Sequence, residues 1–262
     1  MTAAVRPGPL GTHFPGVFDF TTLRGPHDEN NPYSGLSMCV YTGDTTSHCN
    51  SCRDAIAAEI DITPTSIIQP RQVHGSKIVL IDDNFMRLDP ESRLAAIDET
   101  DGTITAINRI AIGINTADCV PVLLCSTGGT RLVAAVHAGW RGTLAGIAAK
   151  AAVTMQEAGG TGIAAYIGVS ICRDCFEVGD EVAEAFAAAG MDDGIIFRSA
   201  ATGKAHIDLQ AANRLQLTRC GLPAEMIFTD GTCSKHDTSG NYFSARRMGV
   251  NSGRTFTGIM LI

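Results

Sequence analysis

Several apolar runs in the middle of the chain show no alternation between apolar and polar residues. The clearest are residues 110–115 (IAIGIN), 120–125 (VPVLLC) and 131–137 (RLVAAVH). A strand with one solvent-facing side alternates, so these runs predict strands that are buried on both faces. Residues 163–168 (IAAYIG) and the terminal stretch 254–262 (RTFTGIMLI) predict two further core strands.

Other segments repeat their apolar residues at the spacing of a helix. Residues 144–155 show this period and stop at Gly159-Gly160, and residues 178–189 show it and stop at Gly190. Asp208 is expected to cap a third helix that ends at Gly221, because Asp is a favoured N-cap residue and Gly a favoured terminator. Residues 52–60 are also expected to be helical.

The polar, turn-rich residues 24–37 predict a surface loop. Residues 67–73 and 77–82 predict a pair of strands around a turn at His74-Gly75. Helices and strands mix throughout, with runs of consecutive strands, and no GxGxxG, Walker or GxSxG motif is present. We therefore expect a single domain over residues 1–262, of α+β or mixed α/β class, with mixed β-sheets flanked by helices.

Composition narrows the class of protein. The 262 residues include 20 basic and 27 acidic ones, a net charge of −7, with no polybasic run, which disfavours nucleic acid as a partner. No apolar stretch reaches the roughly 18 residues of a membrane span, and residues 1–16 lack the apolar core of a signal peptide. We expect a cytoplasmic protein that acts on a small molecule and does not bind a membrane; no pattern indicates an oligomeric state.

The nine cysteines form an odd set in a long chain, which argues against a disulfide framework. Each thiol is then a core side chain, a metal ligand or a nucleophile. Cys119 lies between two predicted buried strands, where irregular backbone often carries function. A thiolate there could bind zinc, or attack a carbonyl group if a cation or metal lowers its pKa.

His137 ends a predicted core strand and opens the segment HAGWRG (137–142) ahead of a helix. A strand-to-helix turn presents free N–H groups to anions, and Arg141 adds a fork of donors for phosphate or carboxylate. His74 lies at the predicted turn in QVHG (72–75). Together His74, Cys119 and His137 supply two imidazoles and one thiolate, which suits a catalytic zinc site with three protein ligands and one open position.

Two other cysteine groups have CxxC spacing. Cys172 and Cys175 could hold a structural zinc ion, and Cys49 and Cys52 could join them in a four-thiolate site, although the two pairs are far apart in sequence. Both pairs are interpreted mainly as structural. Near the C-terminus, the adjacent Arg246 and Arg247 are consistent either with a solvated basic step or with an anion clamp.

These motifs, in this order, resemble the laccase-domain family, also called the multicopper polyphenol oxidoreductase family, whose members are described as purine nucleoside phosphorylases or peptidoglycan editing factors. The resemblance covers nearly the whole chain. The matching stretches are TTLRG…YTGD (21–44), QVHG (72–75), TADCVPVLL (116–124), HAGWRGT (137–143), CFEVGDEV (175–182), IDLQAANRLQL (207–217) and FSARR…SGRTFTGIMLI (243–262).

The resemblance implies a fold similar to that of a bacterial toxin's cysteine-hydrolase domain. It also implies a zinc site whose ligands fall on His74, Cys119 and His137. The implied activity is phosphorolysis of adenosine, inosine, guanosine and S-methyl-5'-thioadenosine, together with deamination of adenosine.

For that activity, phosphate needs a cationic cradle. Arg141 is the first candidate, and Arg24 and Arg53 are weaker ones. Asp118 is a candidate for orienting a ligand or acting as a base. The sequence departs from the family pattern at Ser37 and at Cys52-Arg53, which bear on substrate preference.

Three other functions stay open. Cys119 and His137 could act as nucleophile and base of a hydrolase or amidase that edits a cell-wall precursor. Copper could replace zinc in a polyphenol oxidase, but such enzymes need many histidines, and this chain has 7. A non-enzymatic binding protein would carry no metal and show no turnover.

Overall fold

The computed structural model describes residues 5–262. The strands in chain order are β1 (Val5–Pro7), β2 (Val17–Thr22), β3 (Ile67–Ile68), β4 (Ile78–Ile81), β5 (Gly102–Thr105), β6 (Ala111–Thr116), β7 (Val120–Cys125), β8 (Gly128–Gly129), β9 (Val133–Ala138), β10 (Gly160–Thr161), β11 (Ala164–Ile167), β12 (Glu177–Val178), β13 (Ile196–Arg198), β14 (Ala205–Ile207), β15 (Ile227–Thr229) and β16 (Thr255–Leu261).

The α-helices in chain order are α1 (Pro9–His13), α2 (Thr46–Glu59), α3 (Asp83–Arg87), α4 (Pro90–Ala96), α5 (Trp140–Leu144), α6 (Ile147–Glu157), α7 (Asp180–Ala188), α8 (Leu209–Arg219) and α9 (Ala245–Met248). Short 3₁₀ turns lie at Val40–Thr42, Pro64–Ser66 and Ala224–Met226.

Two large sheets organise these elements. The five-stranded sheet has the order β1-β2-β16-β6-β3, and the six-stranded sheet has the order β15-β11-β7-β9-β5-β4. Most neighbours are antiparallel, but β3 with β6, β11 with β15, and β4 with β5 are parallel. Two smaller sheets, β10-β8 and β12-β14-β13, complete the set. The predicted class, a mixed α and β fold with mixed sheets, is confirmed.

Alternate side chains of the central strands face two different cores. On β7, Val122 and Leu124 pack toward helices α6 and α8, whereas Leu123 packs toward strands β6 and β16 of the other sheet. A third core lies on the far side of the five-stranded sheet, where Ile56 of α2 meets Phe256. The layers therefore run helix, sheet, sheet, helix. This arrangement confirms that the uninterrupted apolar runs are strands buried on both faces.

The predicted helix ends agree with the structure where a strong local signal exists. Asp208 caps α8 by accepting a hydrogen bond of 2.9 Å from the Ala211 N–H, and Gly221 beyond the helix has φ +97°. Helix α7 ends just before Gly190, which has φ +68°. The predicted helix over 144–155 is broken, because Gly146 takes a left-handed conformation at φ +73° and separates α5 from α6.

The predicted strand pair around His74-Gly75 is wrong. Strand β3 belongs to the five-stranded sheet, beside β6, and β4 belongs to the six-stranded sheet, beside β5. Residues 69–77 cross from one sheet to the other as irregular backbone. A short apolar run does not reveal its pairing partner, so the turn signal at His74-Gly75 suggested a hairpin where a crossover exists.

Residues 24–37 contain no regular helix or strand, as predicted for a loop, although the Arg24 side chain within it is buried. Across residues 5–262, no helix combines the length and apolar character needed to cross a membrane. The N-terminal segment 1–16 lacks the apolar core of a signal peptide, but its residues 1–4 lie outside the described residues.

Candidate metal and active centre

The structure brings together the side chains of His74, Cys119 and His137, which lie far apart in sequence. One ligand atom from each, an imidazole nitrogen or the thiol sulfur, lies within 4.8 Å of the other two. The two imidazole rings are 4.8 Å apart between centroids and nearly perpendicular, at 75°. Two imidazoles and one thiolate form a donor set that fits a zinc ion with one position left open.

The path of the chain between the two sheets explains how these residues meet. The connection from β6 to β7 carries Cys119, and the connection from β3 to β4 carries His74, and each passes from the five-stranded to the six-stranded sheet. Asp118 and His74 both have positive φ values, 94° and 63°, which residues other than glycine rarely adopt. His137 faces this point from β9, where it pairs with Pro121 of β7.

Asp101, which the sequence analysis missed, organises the centre. Its buried carboxylate accepts a hydrogen bond of 2.8 Å from His137 Nδ1, which leaves Nε2 of that ring as the ligand atom. The same carboxylate accepts backbone N–H groups from His74 at 2.9 Å and Gly75 at 2.7 Å. One side chain thus orients one ligand and holds the loop that carries another. Its sequence signal was weak: an acidic residue directly before β5, with Asp98 and Glu99 close by in sequence.

Mutual charge stabilisation changes the protonation of this cluster. Burial alone would raise the pKa of the Cys119 thiol, but His137 and His74 outweigh burial and lower it to about 6. Burial likewise opposes charge on His137, but the Cys119 thiolate and Asp101 raise the pKa of His137 to about 9. Between these values the metal-free centre is a thiolate–imidazolium pair. Burial also opposes ionisation of Asp101, yet hydrogen bonds led by His137 lower the pKa of its carboxyl group.

Gly139 leaves room for the ligands. A Cβ atom at this position would lie 3.0 Å from His74 Cδ2 and 3.2 Å from Cys119 Sγ, both tighter than ordinary contact. Gly139 in HAGWRG is therefore required by the close approach of the backbone to the cluster.

The cluster lies in the wall of a cleft of about 840 Å³. That volume is in the range of small-molecule sites. Apolar and aromatic side chains line much of it, and three arginines line it as well. The apolar lining residues include Trp140, Ile171, Phe176, Leu209 and Val250, and the arginines are Arg141, Arg246 and Arg254.

The three arginines differ in whether their side chains already have hydrogen-bond partners in the protein. Arg246 donates to the carbonyl oxygens of Cys175 and Glu177, and Arg254 donates to those of Val250 and Ser252. The Arg141 guanidinium stacks 4.1 Å from the centre of the Trp140 ring and makes no hydrogen bond or ion pair with residues 5–262. Arg141 is therefore the lining arginine with its fork of donors open to the cleft.

Arg24 and Arg53 do not line this cleft. Arg24 is buried and donates to the carbonyl oxygen of Ser34, while Arg53 donates to the carbonyl oxygen of Ile67 and to Gln69. Both tie loops and strands together, so the structure gives them a role in folding and does not bring them to a substrate.

Asp118 and the Arg246–Arg247 pair also have defined partners. The Asp118 carboxylate accepts hydrogen bonds from Ser234 Oγ at 2.7 Å and from the Arg246 N–H at 2.7 Å, which engages both of its oxygens. It therefore joins two loops at the cleft and leaves the orientation of a ligand to Asp101. Arg247 does not line the cleft, and its guanidinium donates to the carbonyl oxygens of Tyr242 and Lys235.

The anion site expected from a helix N-terminus after His137 is not supported. Helix α5 has only five residues, and it is separated from α6 at Gly146. So short a helix has little dipole at its start. Any anion at this point depends on the Arg141 side chain.

The possible four-thiolate site with Cys49 and Cys52 is also wrong. Cys49 is a buried residue of α2, and Cys52 contacts His48 Nε2 at 3.5 Å on the same helix. Neither belongs to the metal-type clusters found among residues 5–262.

Comparison with known proteins places this site in a family. Residues 18–262 match the family model described as multi-copper polyphenol oxidoreductase laccase. The chain belongs to this family. The family resemblance drawn from the motifs is thereby confirmed.

Individual members of the laccase-like family carry nucleoside-enzyme names. The chain is 45% identical over 247 residues to adenosine deaminase RL5 from an unknown prokaryotic organism, with 93% of this chain and 94% of the relative covered. It is 36% identical over 247 residues to a purine nucleoside phosphorylase of Bacteroides thetaiotaomicron, covering 92% and 90%. These names support an enzyme that acts on a small molecule.

Solved structures of the family share the fold. The structure of YlmD from Geobacillus stearothermophilus superposes with a TM-score of 0.85 at 27% identity, covering 95% of this chain and 93% of that one. The structure of Bacillus licheniformis YfiH gives 0.84 at 25% identity, covering 94% and 93%.

Proposed function

We propose that this protein is a zinc-dependent purine nucleoside enzyme. It would cleave adenosine, inosine, guanosine and S-methyl-5'-thioadenosine with phosphate and would deaminate adenosine. The observation that carries the proposal is the joining of a two-histidine, one-cysteine ligand cluster with the open Arg141 fork in one cleft of about 840 Å³. The relatives named adenosine deaminase and purine nucleoside phosphorylase support it.

His74, Cys119 and His137 would hold the zinc ion, with Asp101 keeping the His137 ring in its ligating orientation. When bound, the ion supplies Lewis acidity that polarises a substrate oxygen and lowers the pKa of water. Three protein ligands leave the fourth position free for this purpose.

The remaining lining residues would bind and orient the substrates. Arg141 would hold phosphate through charge-assisted hydrogen bonds, since its donors have no other partner among residues 5–262. Phe176 and Trp140 would pack against the flat purine ring, as aromatic side chains do in nucleoside sites. In phosphorolysis, a phosphate oxygen forms the new bond to the ribose C1 atom while the bond from C1 to the purine nitrogen breaks. In deamination, water replaces the amino group, which leaves as ammonia.

The test is direct turnover by the pure protein. Zinc-loaded protein is incubated with adenosine and phosphate, with and without a chelator, and adenine, inosine and ribose 1-phosphate are measured by chromatography. Products should form in the loaded sample and vanish on chelation. A zinc-loaded, folded sample that forms none of the three would overturn the proposal.

A second candidate function rests on a separate observation. Cys119, His137 and Asp101 form a nucleophile–base–orienter series, and the lowered pKa of Cys119 makes it a thiolate at neutral pH in the metal-free protein. These are the parts of a thiol hydrolase or amidase that could edit a cell-wall precursor. An acyl adduct on Cys119, formed by metal-free protein and seen by mass spectrometry, would favour this function.

Copper is the third possibility. Two histidines and a cysteine are also the ligands of a copper electron-transfer centre, and the family description names copper enzymes. Metal analysis of the protein and oxygen uptake with a phenol test it. Zinc without oxygen uptake would exclude it.

A further inference from the structure

A second group of metal-type ligands lies outside the centre described above. Cys172, Cys175, Cys233 and His236 each offer one ligand atom, and these atoms all lie within 4.8 Å of one another. Sequence alone indicated only the first two as a pair. The fold brings them to a second pair, Cys233 and His236, which is spaced in the same way, with two residues between the ligands.

The backbone presents the two pairs to each other through a β-bridge. Ser170 and Cys233 form an isolated parallel bridge, in which the Ser234 N–H donates to the Ser170 carbonyl oxygen at 3.0 Å. Each pair then closes a tight turn: the Cys175 N–H donates to the Cys172 carbonyl oxygen at 3.1 Å, and the Asp237 N–H donates to the Cys233 carbonyl oxygen at 3.0 Å. Two such turns facing one another are a common scaffold for four-ligand zinc.

The distances match the size of a zinc ion. Zn–S bonds of about 2.3 Å and Zn–N bonds of about 2.0 Å in a tetrahedron place two sulfurs about 3.8 Å apart and a sulfur and a nitrogen about 3.5 Å apart. His236 Nδ1 lies 3.3 Å from Cys175 Sγ and 3.8 Å from Cys172 Sγ. All three cysteines are free thiols. The set is thus already gathered at metal-binding distance.

The local charge suits a thiolate-rich centre. Three thiolates, one neutral imidazole and one Zn²⁺ carry a net charge of −1. A basic residue lies between the ligands of each pair in sequence: Arg173, which is ion-paired with the adjacent Asp174, in the first and Lys235 in the second. Arg246 approaches from a third segment and donates to the Cys175 carbonyl oxygen at 3.4 Å. Three thiolates with no open position are the signature of a structural zinc site.

We propose that Cys172, Cys175, Cys233 and His236 form a second, structural zinc site that joins the loop from Ile171 to Phe176 to the turn from Cys233 to His236. The loop from Ile171 to Phe176 and the segment around Arg246 both line the cleft. The neighbouring Ser234 also holds the Asp118 carboxylate beside Cys119, through the 2.7 Å hydrogen bond from its hydroxyl group. The ion would therefore stabilise the part of the cleft wall that adjoins Asp118 and Cys119, without touching substrate.

The first test is zinc stoichiometry of protein purified under reducing conditions. Wild type should hold two equivalents. Cys175→Ser and Cys119→Ala should each lose one equivalent, and the double variant should lose both. Cys220→Ser, which removes a thiol at the end of α8 that belongs to neither ligand cluster, is the matched control and should retain two. Because Cys119→Ala separates the two sites, failure of the nucleoside activity would leave this result unaffected.

Two further measurements cover a variant that fails to fold. His236→Gln changes an exposed side chain and should also lose one equivalent while remaining folded. Cobalt-loaded Cys119→Ala should show strong thiolate-to-cobalt charge-transfer absorption, as expected for three thiolates at tetrahedral cobalt. In His236→Gln, amide hydrogen exchange should accelerate by at least about tenfold in residues 171–177 and 233–247, because the two loops are no longer linked by the zinc ion.

The proposal is overturned if folded wild type holds a single equivalent that Cys119→Ala removes. It is equally overturned if mass spectrometry of protein kept under reducing conditions finds a disulfide among the three cysteines. Unchanged exchange in folded His236→Gln that has lost one equivalent of zinc would also contradict the stabilising role.

Discussion

The two ligand clusters of this protein use the same types of ligand, histidine and cysteine, but differ in the number of ligands and in access to the cleft. His74, Cys119 and His137 offer three ligands at a cleft, and a buried carboxylate orients one of them. The second cluster offers four ligands from two facing turns, and only its His236 is an exposed residue. A metal ion with three protein ligands can accept substrate or water, whereas one with four is saturated. Ligand count and access separate a reactive centre from a structural one.

The largest effect is expected from removing the Cys119 thiol, which serves as the zinc ligand or the nucleophile of the open centre. Cys119→Ala should abolish metal binding there and reduce turnover of adenosine by about 1,000-fold or more, because metal polarisation contributes several kcal/mol. Steady-state kinetics and metal analysis check this, with Cys220→Ser as the control. Turnover retained within tenfold would show that the open centre is not where the reaction occurs.

Thiol reactivity should separate Cys119 of the open centre from Cys175 of the second cluster in metal-free protein. The pKa of Cys119 is lowered to about 6, so its thiolate fraction rises as pH increases through about 6. Burial raises the pKa of Cys175, which therefore stays protonated at that pH. Iodoacetamide should label Cys119 first, with half-maximal rate near pH 6, as peptide mass spectrometry can follow.

His137→Gln removes the imidazolium that lowers this pKa, so the Cys119 profile should move to higher pH by more than a unit. An unshifted profile, or labelling of Cys175 before Cys119, would contradict the charge-pair interpretation.

Asp101→Asn tests the carboxylate that orients His137 in the open centre. The amide keeps the shape but can no longer accept hydrogen bonds with both of its outer atoms. Zinc affinity at the open centre should fall by about 10–100-fold, as for other residues that orient a ligand. Competition with a chromophoric chelator measures the affinity. Asp98→Asn, an exposed neighbour paired with Arg71, is the control; equal losses in both variants would deny Asp101 its role.

The smallest effect is expected at the cleft arginine. Arg141→Lys keeps the charge but loses the bidentate fork, so KM for phosphate should rise roughly tenfold, corresponding to about 1.5 kcal/mol. Both metal equivalents should remain. Arg87→Lys on the surface of α3 should change nothing. A KM for phosphate that stays constant in Arg141→Lys would move the anion site elsewhere.

Much of the element pattern could be predicted from local signals. The buried strands β6, β7, β9, β11 and β16 were predicted because each run is apolar on both faces, and α8 because Asp208 and Gly221 mark its ends. The pairing of β3 and β4 could not be predicted, since a strand's partner depends on contacts remote in sequence. That Arg24 and Arg53 do not line the cleft could not be predicted from the sequence for a related reason. A guanidinium recruited by distant carbonyl oxygens has the same local sequence as one that faces substrate.

The sequence by itself determined which residue types are available: two histidines and a cysteine in glycine-rich turns, a CxxC pair, and an arginine beside a tryptophan. It also determined, through its long motifs, the family. Only the tertiary structure decided which of these residues meet. Two chain crossings between the sheets bring His74 to Cys119. Asp101 orients His137 by a hydrogen bond between neighbouring strands. One β-bridge brings Cys233 and His236 to the CxxC turn. The physical reason is that metal sites need donor atoms within a few ångströms of one another, and sheet order sets such distances between segments that are remote in sequence.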